Sequence, residues 1–126
     1  LITNPEIAKK HVLSMVKNQA INCYSGKQIP CEIFADRNYE DDGNLVSRKK
    51  PNALIINPEE AKTHVLKMVK NQSINCHSGK QIPCKIDSVC IHGDNQSSLD
   101  TAKSIKLNLI ENGLELKPLN KMRKFS

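Results

Sequence analysis

A chain of 126 residues with 38% apolar content has room for one modest core. With two Tyr, two Phe and no Trp, that core must rest on Ile, Leu and Val rather than on large aromatic anchors. The net charge of +6 is spread along the chain without an aromatic platform, which argues against nucleic acid as a partner, and no run of about 18 apolar residues exists to cross a membrane.

Residues 1–31 and 54–84 are two copies of one segment, identical at 25 of 31 positions. Each copy opens with a predicted helix: Asn4-Pro5-Glu6 and Asn57-Pro58-Glu59 supply an N-cap, a proline at the first helical position and an early acid facing the helix dipole. The second copy adds Glu60, completing a capping-box-like pattern where the first has Ile7. Ala8, Val12, Met15 and Val16, matched by Ala61, Val65, Met68 and Val69, follow the spacing of one buried helix face. His11 and His64 lie beside that stripe and read as half-exposed helix histidines.

A short hairpin follows in each copy, around Ser25-Gly26 and Ser78-Gly79. A two-residue turn there sets Cys23 opposite Gln28, and Cys31 opposite Ala20. The cysteines of a copy are then out of register for a disulfide, no C-x2-C knuckle is present, and the total of five is odd. They read as reduced structural thiols. Leu1 stands inside a repeat unit, so the start reads as cut, with a segment expected upstream. No signal-peptide pattern is present, and the expected location is cytoplasmic.

Residues 32–35 read as a strand and residues 34–53 as a polar loop with Asp42-Gly43 as its tightest turn. Residues 88–92 form a second apolar strand ending at Gly93-Asp94-Asn95. A helix follows from about residue 97 to 112, with Leu99, Ala102, Ile105 and Leu109 as its stripe and Gly113 as its C-terminal cap. Leu114 to Leu116 can add a last strand. Lys117, Lys121, Arg123 and Lys124 form a basic end that reads as solvated. Strand, polar loop, helix, strand is a β/α unit of parallel sheets and barrels, whose functional residues stand where strands end. Asp36 and Arg37 hold that place after one strand, His92 and Asp94 after the other. Read alone, the His-Gly-Asp has a structural alternative, a turn that caps the next helix.

The blocks Glu32-Ile33-Phe34-Ala35-Asp36-Arg37-x-Tyr39, Asp42-Gly43-x-Leu45-Val46-x-Arg48 and Val89-Cys90-Ile91-His92-Gly93-Asp94-Asn95, in this order around the Asn-Pro-Glu-Glu-Ala helix, closely resemble the C-terminal part of the LamB/YcsF family. That family supplies the A subunit of the bacterial ATP-dependent 5-oxoprolinase. The resemblance implies an α/β fold, an incomplete β/α barrel of the deacetylase-like type. It divides the chain into a duplicated helix-hairpin segment (1–31), the C-terminal part of the barrel domain (32–119) and a basic tail (120–126). The second copy sits in the family's order, so the first reads as a tandem duplicate rather than as one unit of a solenoid, which generally needs about three or more units.

The implied activity is opening of the lactam 5-oxoproline to glutamate, driven by ATP, with the B and C subunits as partners. Asp36 and His92 are then candidates for proton transfer or metal binding, Asp94 for orienting His92, and Arg37 and Arg48 for holding carboxylate or phosphate. A structural ion pair with Asp36 is an equal reading of Arg37. No metal is specified. The family's N-terminal half, with an acidic first strand and two histidine motifs, is absent, and the proline usual before Arg48 is Ser47. The chain by itself is therefore expected to be inactive. A non-catalytic module that kept the family's partner surface is the rival reading, and a pull-down with the other subunits separates the two.

Overall fold

The computed structural model describes residues 4–7, 9, 10, 21, 22, 28–93 and 96–125. In the first copy, Asn4 Oδ1 accepts from the backbone N–H of Glu6 at 2.9 Å and of Ile7 at 3.3 Å, the expected cap of a helical start. His11 lies outside the described residues. Strands β1 (Ile21–Asn22) and β2 (Gln28–Ile29) pair antiparallel.

Strand β3 (Glu32–Phe34) then leads into the polar segment, which ends at Asn57. Helix α1 (Pro58–Asn71) begins on the Asn57 side chain, which accepts from Glu59 N at 2.8 Å and Glu60 N at 3.4 Å. Glu60 does not return a bond to the Asn57 N–H, so only half of the capping box forms. Ala61, Val65 and Met68 are buried along one face, as their spacing predicts, and the helix closes on Gln72 in the left-handed region. Strands β4 (Ser73–Asn75) and β5 (Gln81–Pro83) form the second hairpin.

Both hairpins correct the expected register by one residue. Asn22 faces Gln28 and Asn75 faces Gln81, where a two-residue turn would have set the cysteines at 23 and 76 against those glutamines. The reason is visible in the second copy. Gly79 N–H donates to the Cys76 carbonyl at 2.9 Å, Gly79 takes φ +94°, and Cys76 N–H then donates to Lys80 O at 2.8 Å. A three-residue loop with glycine in the left-handed position replaces the two-residue turn.

Strand β6 (Ser88–Cys90) lies parallel to β3, with Ile33 opposite Val89 and Phe34 opposite Cys90, and Ala35 N–H extends the ladder to the Cys90 carbonyl at 3.0 Å. Chain segments joining parallel neighbours must cross over, and α1 with its hairpin is that crossover. Helix α2 (Gln96–Glu111) packs on α1 through Ile105 and Leu109. It ends as expected at Gly113, φ +78°, with Gly113 N–H bonded to Ile110 O and Leu114 N–H to Leu109 O.

Three expectations change. Leu99, assigned to the buried stripe, is 49% exposed, because α2 buries its second half against the core and its first turns face the cavity described below. Residues 114–116 form no strand and pair with none among the described residues; the chain goes on to a 3-10 turn at Leu119–Lys121. The basic end is not wholly solvated, since Lys124 Nζ reaches back to Asp87 Oδ2 at 2.7 Å, a carboxylate whose side chain is only 6% exposed.

The polar segment holds the largest surprise. Its turn at Asp42-Gly43 forms as predicted, with Gly43 at φ +85° and Glu40 N–H donating to the Asn44 carbonyl at 2.8 Å. Yet Ala35, Arg37, Tyr39, Val46 and Ala53 within it are buried. The alternate burial of Ile33, Ala35, Arg37 and Tyr39 carries the strand's period of two past the end of β3. The Tyr39 oxygen accepts from Phe34 N–H at 2.8 Å, and the Tyr39 ring joins Ile33, Met68 and Cys76 in one core cluster. Ala35, Val65, Ile105 and Leu109 form the other, between the sheet and the two helices.

Candidate functional site

Parallel pairing of β3 with β6 puts the residues that follow both strands at one edge of the sheet. Asp36 and His92 meet there: His92 Nδ1 lies 2.7 Å from Asp36 Oδ2. Where the carboxylate is ionised it can only accept, so the bond is donated by Nδ1–H, and in the neutral imidazole Nε2 carries the lone pair. Phe34, the last residue of β3, stacks on the imidazole with ring centroids 6.0 Å apart and planes 20° apart. A carboxylate on one edge and a phenyl ring on one face fix the orientation of His92. Among the described residues the second Asp36 oxygen, Oδ1, is buried without a hydrogen-bond partner, an acceptor with unused capacity beside the imidazole.

The pair lines a cavity of about 590 Å³. Arg48 lines the same cavity, and among the described residues it has no ion-pair partner. Leu54, Ile56 and Ile91 supply apolar wall, while Ser97, Ser98 and Thr101 bring hydroxyls from the first turns of α2. The arrangement holds one oriented imidazole, one carboxylate and one cation around a partly apolar space. It can move a proton at Nε2 and hold an anion at Arg48. Among the described residues no group of three His, Cys, Asp or Glu side chains converges as a metal site, and Asp36 with His92 makes two donors.

Sequence reasoning named five residues, and the structure gathers three of them, Asp36, Arg48 and His92. Asp94 lies outside the described residues; among those described, Asp36 makes a bond that orients His92. Arg37 points elsewhere. It is 8% exposed, does not line the cavity, and makes no ion pair with Asp36; its Nη2 donates to the Val46 carbonyl at 2.8 Å. Its role is to hold down the polar segment that delivers Arg48. The α2 hydroxyls were missed, though they had a signal: they open the helix that follows a strand ending in His-Gly-Asp, where the strand-end rule already pointed.

Comparison with known proteins places this geometry. Residues 28–124 match the model of the LamB/YcsF family. The A subunit of a 5-oxoprolinase from Clostridium beijerinckii is 41% identical over 121 residues, 94% of this chain and 46% of that protein. Its counterpart from Rhodopseudomonas palustris is 44% identical over 94 residues, 75% of this chain and 37% of the other. The crystal structure of a lactam utilization protein from Thermus thermophilus superposes with a TM-score of 0.63 at 28% identity, covering 70% of this chain and 34% of that one. The chain thus spans less than half the length of the curated relatives it matches. Among its described residues no helix is long and apolar enough to cross a membrane. By the family match, the fold and the ordered blocks, the chain belongs to the LamB/YcsF family.

Proposed function

We propose that the chain is part of the A subunit of an ATP-dependent 5-oxoprolinase, and that it carries one side of that enzyme's active site. The observation behind this reading is the His92–Asp36 pair at the ends of adjacent parallel strands, in a cavity that also holds Arg48. The names of the relatives supply the reaction class.

A lactam carbonyl is a poor electrophile, and ATP supplies the driving force for opening it. The residues of this chain do the rest of the work on their side. Arg48, which lines the cavity where Arg37 does not, holds the carboxylate of 5-oxoproline or a phosphate oxygen. His92 takes a proton from attacking water at Nε2, and Asp36 keeps the imidazole in the tautomer that allows it. Asp94 remains a candidate beside them.

Strands β3 and β6 are, in this reading, two staves of a deacetylase-like β/α barrel completed by the part of the family's length that this chain does not span. Missing staves mean a missing half of the pocket. The chain alone, even with the B and C subunits, is therefore expected to show no 5-oxoproline-dependent ATP hydrolysis, and turnover by that mixture would refute this. In the Clostridium relative assembled with its partner subunits, replacing the residue at the position of His92 by alanine should lower kcat at least about 100-fold. Placing asparagine at the position of Asp36 should do nearly as much. Full activity in both variants would remove the pair from the mechanism.

A further inference from the structure

The His92 side chain is 41% exposed, so its orientation depends on what holds it from the neighbouring strand. Two groups do so, the Phe34 ring and the Asp36 carboxylate. Phe34 lies opposite Cys90, so the same register carried two residues on sets Asp36 beside His92, and Phe34 and Asp36 share one face of the chain. Ala35 N–H goes to Cys90 on β6. The Phe34 N–H, one residue back, therefore points to the other side of β3, with which no strand pairs among the described residues. The Tyr39 hydroxyl fills that place, accepting from Phe34 N–H at 2.8 Å. One bond thus closes residues 34–39 into a loop that carries both partners of His92.

Tyr39 is a fixed post for that bond. It is 4% exposed and packs with Ile33, Met68 and Cys76. Its carbonyl accepts from His77 N–H at 2.9 Å, and its ring stacks on His64 with centroids 6.4 Å apart and planes 21° apart. Core packing on one face of the chain therefore sets where the hydroxyl stands, and the hydroxyl sets the loop that faces the cavity.

We propose that Tyr39 is a positioning residue for His92, its hydroxyl holding loop 34–39 so that the Phe34 ring and the Asp36 carboxylate meet the imidazole together. Tyr39 does not line the cavity and moves no proton there. Its role in the reaction rests on the proposed function of His92 as base, while its hold on the imidazole can be read without turnover. Without the hydroxyl, the half-buried Phe34 N–H loses its acceptor, and the peptide must turn toward water to find another. The ring and the carboxylate turn with it. The imidazole is then free to carry its proton on Nε2, where the lone pair is needed to take a proton from water.

Long-range proton–nitrogen NMR correlations on the 126-residue chain, above neutral pH, read which His92 nitrogen carries the proton. The parent should show one tautomer, protonated at Nδ1. Tyr39→Phe keeps the buried ring and should give a mixture of the two tautomers. Phe34→Leu keeps the backbone bond to Tyr39 and should keep the Nδ1 proton while losing the ring-current shift of the His92 ring protons. Asn57→Ala destabilises the chain from outside the loop and should change neither signal. A single Nδ1-protonated tautomer in Tyr39→Phe would overturn the proposal. So would unprotected exchange of the Phe34 amide in the parent, a measurement that needs no variant to fold. In the Clostridium relative assembled with its partner subunits, phenylalanine at the position of Tyr39 should lower kcat about tenfold with little change in KM. A raised KM at unchanged kcat would overturn the positioning role. Full activity with alanine at the position of His92 would refute the proposed base instead, and the tautomer results would still show that Tyr39 holds the imidazole.

Discussion

The first and second copies of the repeat carry nearly the same residues and build the same hairpin register, Ile21 against Ile29 and Ile74 against Ile82. Among the described residues, it is the second copy that is tied to the core. The second hairpin is fastened to the polar segment: His77 N–H donates to the Tyr39 carbonyl at 2.9 Å, Ser78 Oγ bonds to Asp41, and Lys80 Nζ donates to the Asp41 carbonyl at 2.8 Å. The second helix gives Ala61, Val65 and Met68 to the interior, and every described member of the two core clusters lies at residue 33 or beyond. Local sequence therefore decided how the hairpin pairs, while neighbours decided what it is used for. Register depends on a turn a few residues long, whereas burial depends on what stands opposite.

The largest expected effect tests whether the second copy is the structural one. Met68 is fully buried in the cluster with Ile33, Tyr39 and Cys76. Met68→Ala should lower unfolding free energy in urea by about 2–5 kcal/mol, through lost transfer free energy and the cavity left behind. A loss below about 1 kcal/mol would break the comparison.

A smaller effect sharpens it at two equivalent caps. Asn57→Ala should cost about 1 kcal/mol, because Asn57 starts the helix that carries the core. Asn4 caps its own helical start through the same atoms, but residues 4–7, 9 and 10 are exposed. Asn4→Ala should change global stability by less than about half as much, and equal costs for the two would show that both helices support one core.

The smallest effect is a pH dependence. His64 in α1 stacks on Tyr39 with centroids 6.4 Å apart, and burial pulls its pKa below the ordinary 6.5, which the Arg37 backbone hydrogen bond only partly offsets. The unfolded chain then binds this proton more readily than the folded one. Stability is fully present above pH 6.5 and falls as pH drops from there toward the lowered folded value. The loss should be less than about 1 kcal/mol in chemical denaturation at pH 7 and pH 5.5, and His64→Gln should reduce it. An unchanged slope in that variant would place the titrating group elsewhere.

Much of the fold was readable because its signals are local. Asn57, Pro58 and the acids after it start α1, Gly113 ends α2, and Asp42-Gly43 turns the polar segment, each through contacts a few residues apart. The stripe of α1 was readable because a 3.6-residue period is written along one helix. The stripe of α2 misled at Leu99, since periodicity marks a face but not how far a neighbour extends along it. The one-residue hairpin error arose because Ser-Gly serves as the centre of a two-residue turn and as the end of a three-residue one.

The site divides the same way. Two strands ending in polar residues announced Asp36 and His92, but their 2.7 Å bond depends on β3 and β6 being parallel neighbours across 56 residues of chain. Arg37 and Arg48 look equivalent as sequence, 11 positions apart in one polar segment. Their difference is tertiary: Arg37 follows the buried alternation of Ile33, Ala35 and Tyr39 and gives its guanidinium to Val46, while Arg48, past the Asp42-Gly43 turn, comes back to the cavity.

By itself the sequence determined the family, the helices with their caps, the two strands and the strand ends where function was to be sought. Tertiary structure alone decided that Asp36 meets His92 and that Arg48 and not Arg37 lines the cavity. Capping and turning are settled within a few residues by backbone conformation and hydrogen bonding. Which side chains share a space is settled by packing between segments that are distant along the chain, and no local pattern records it.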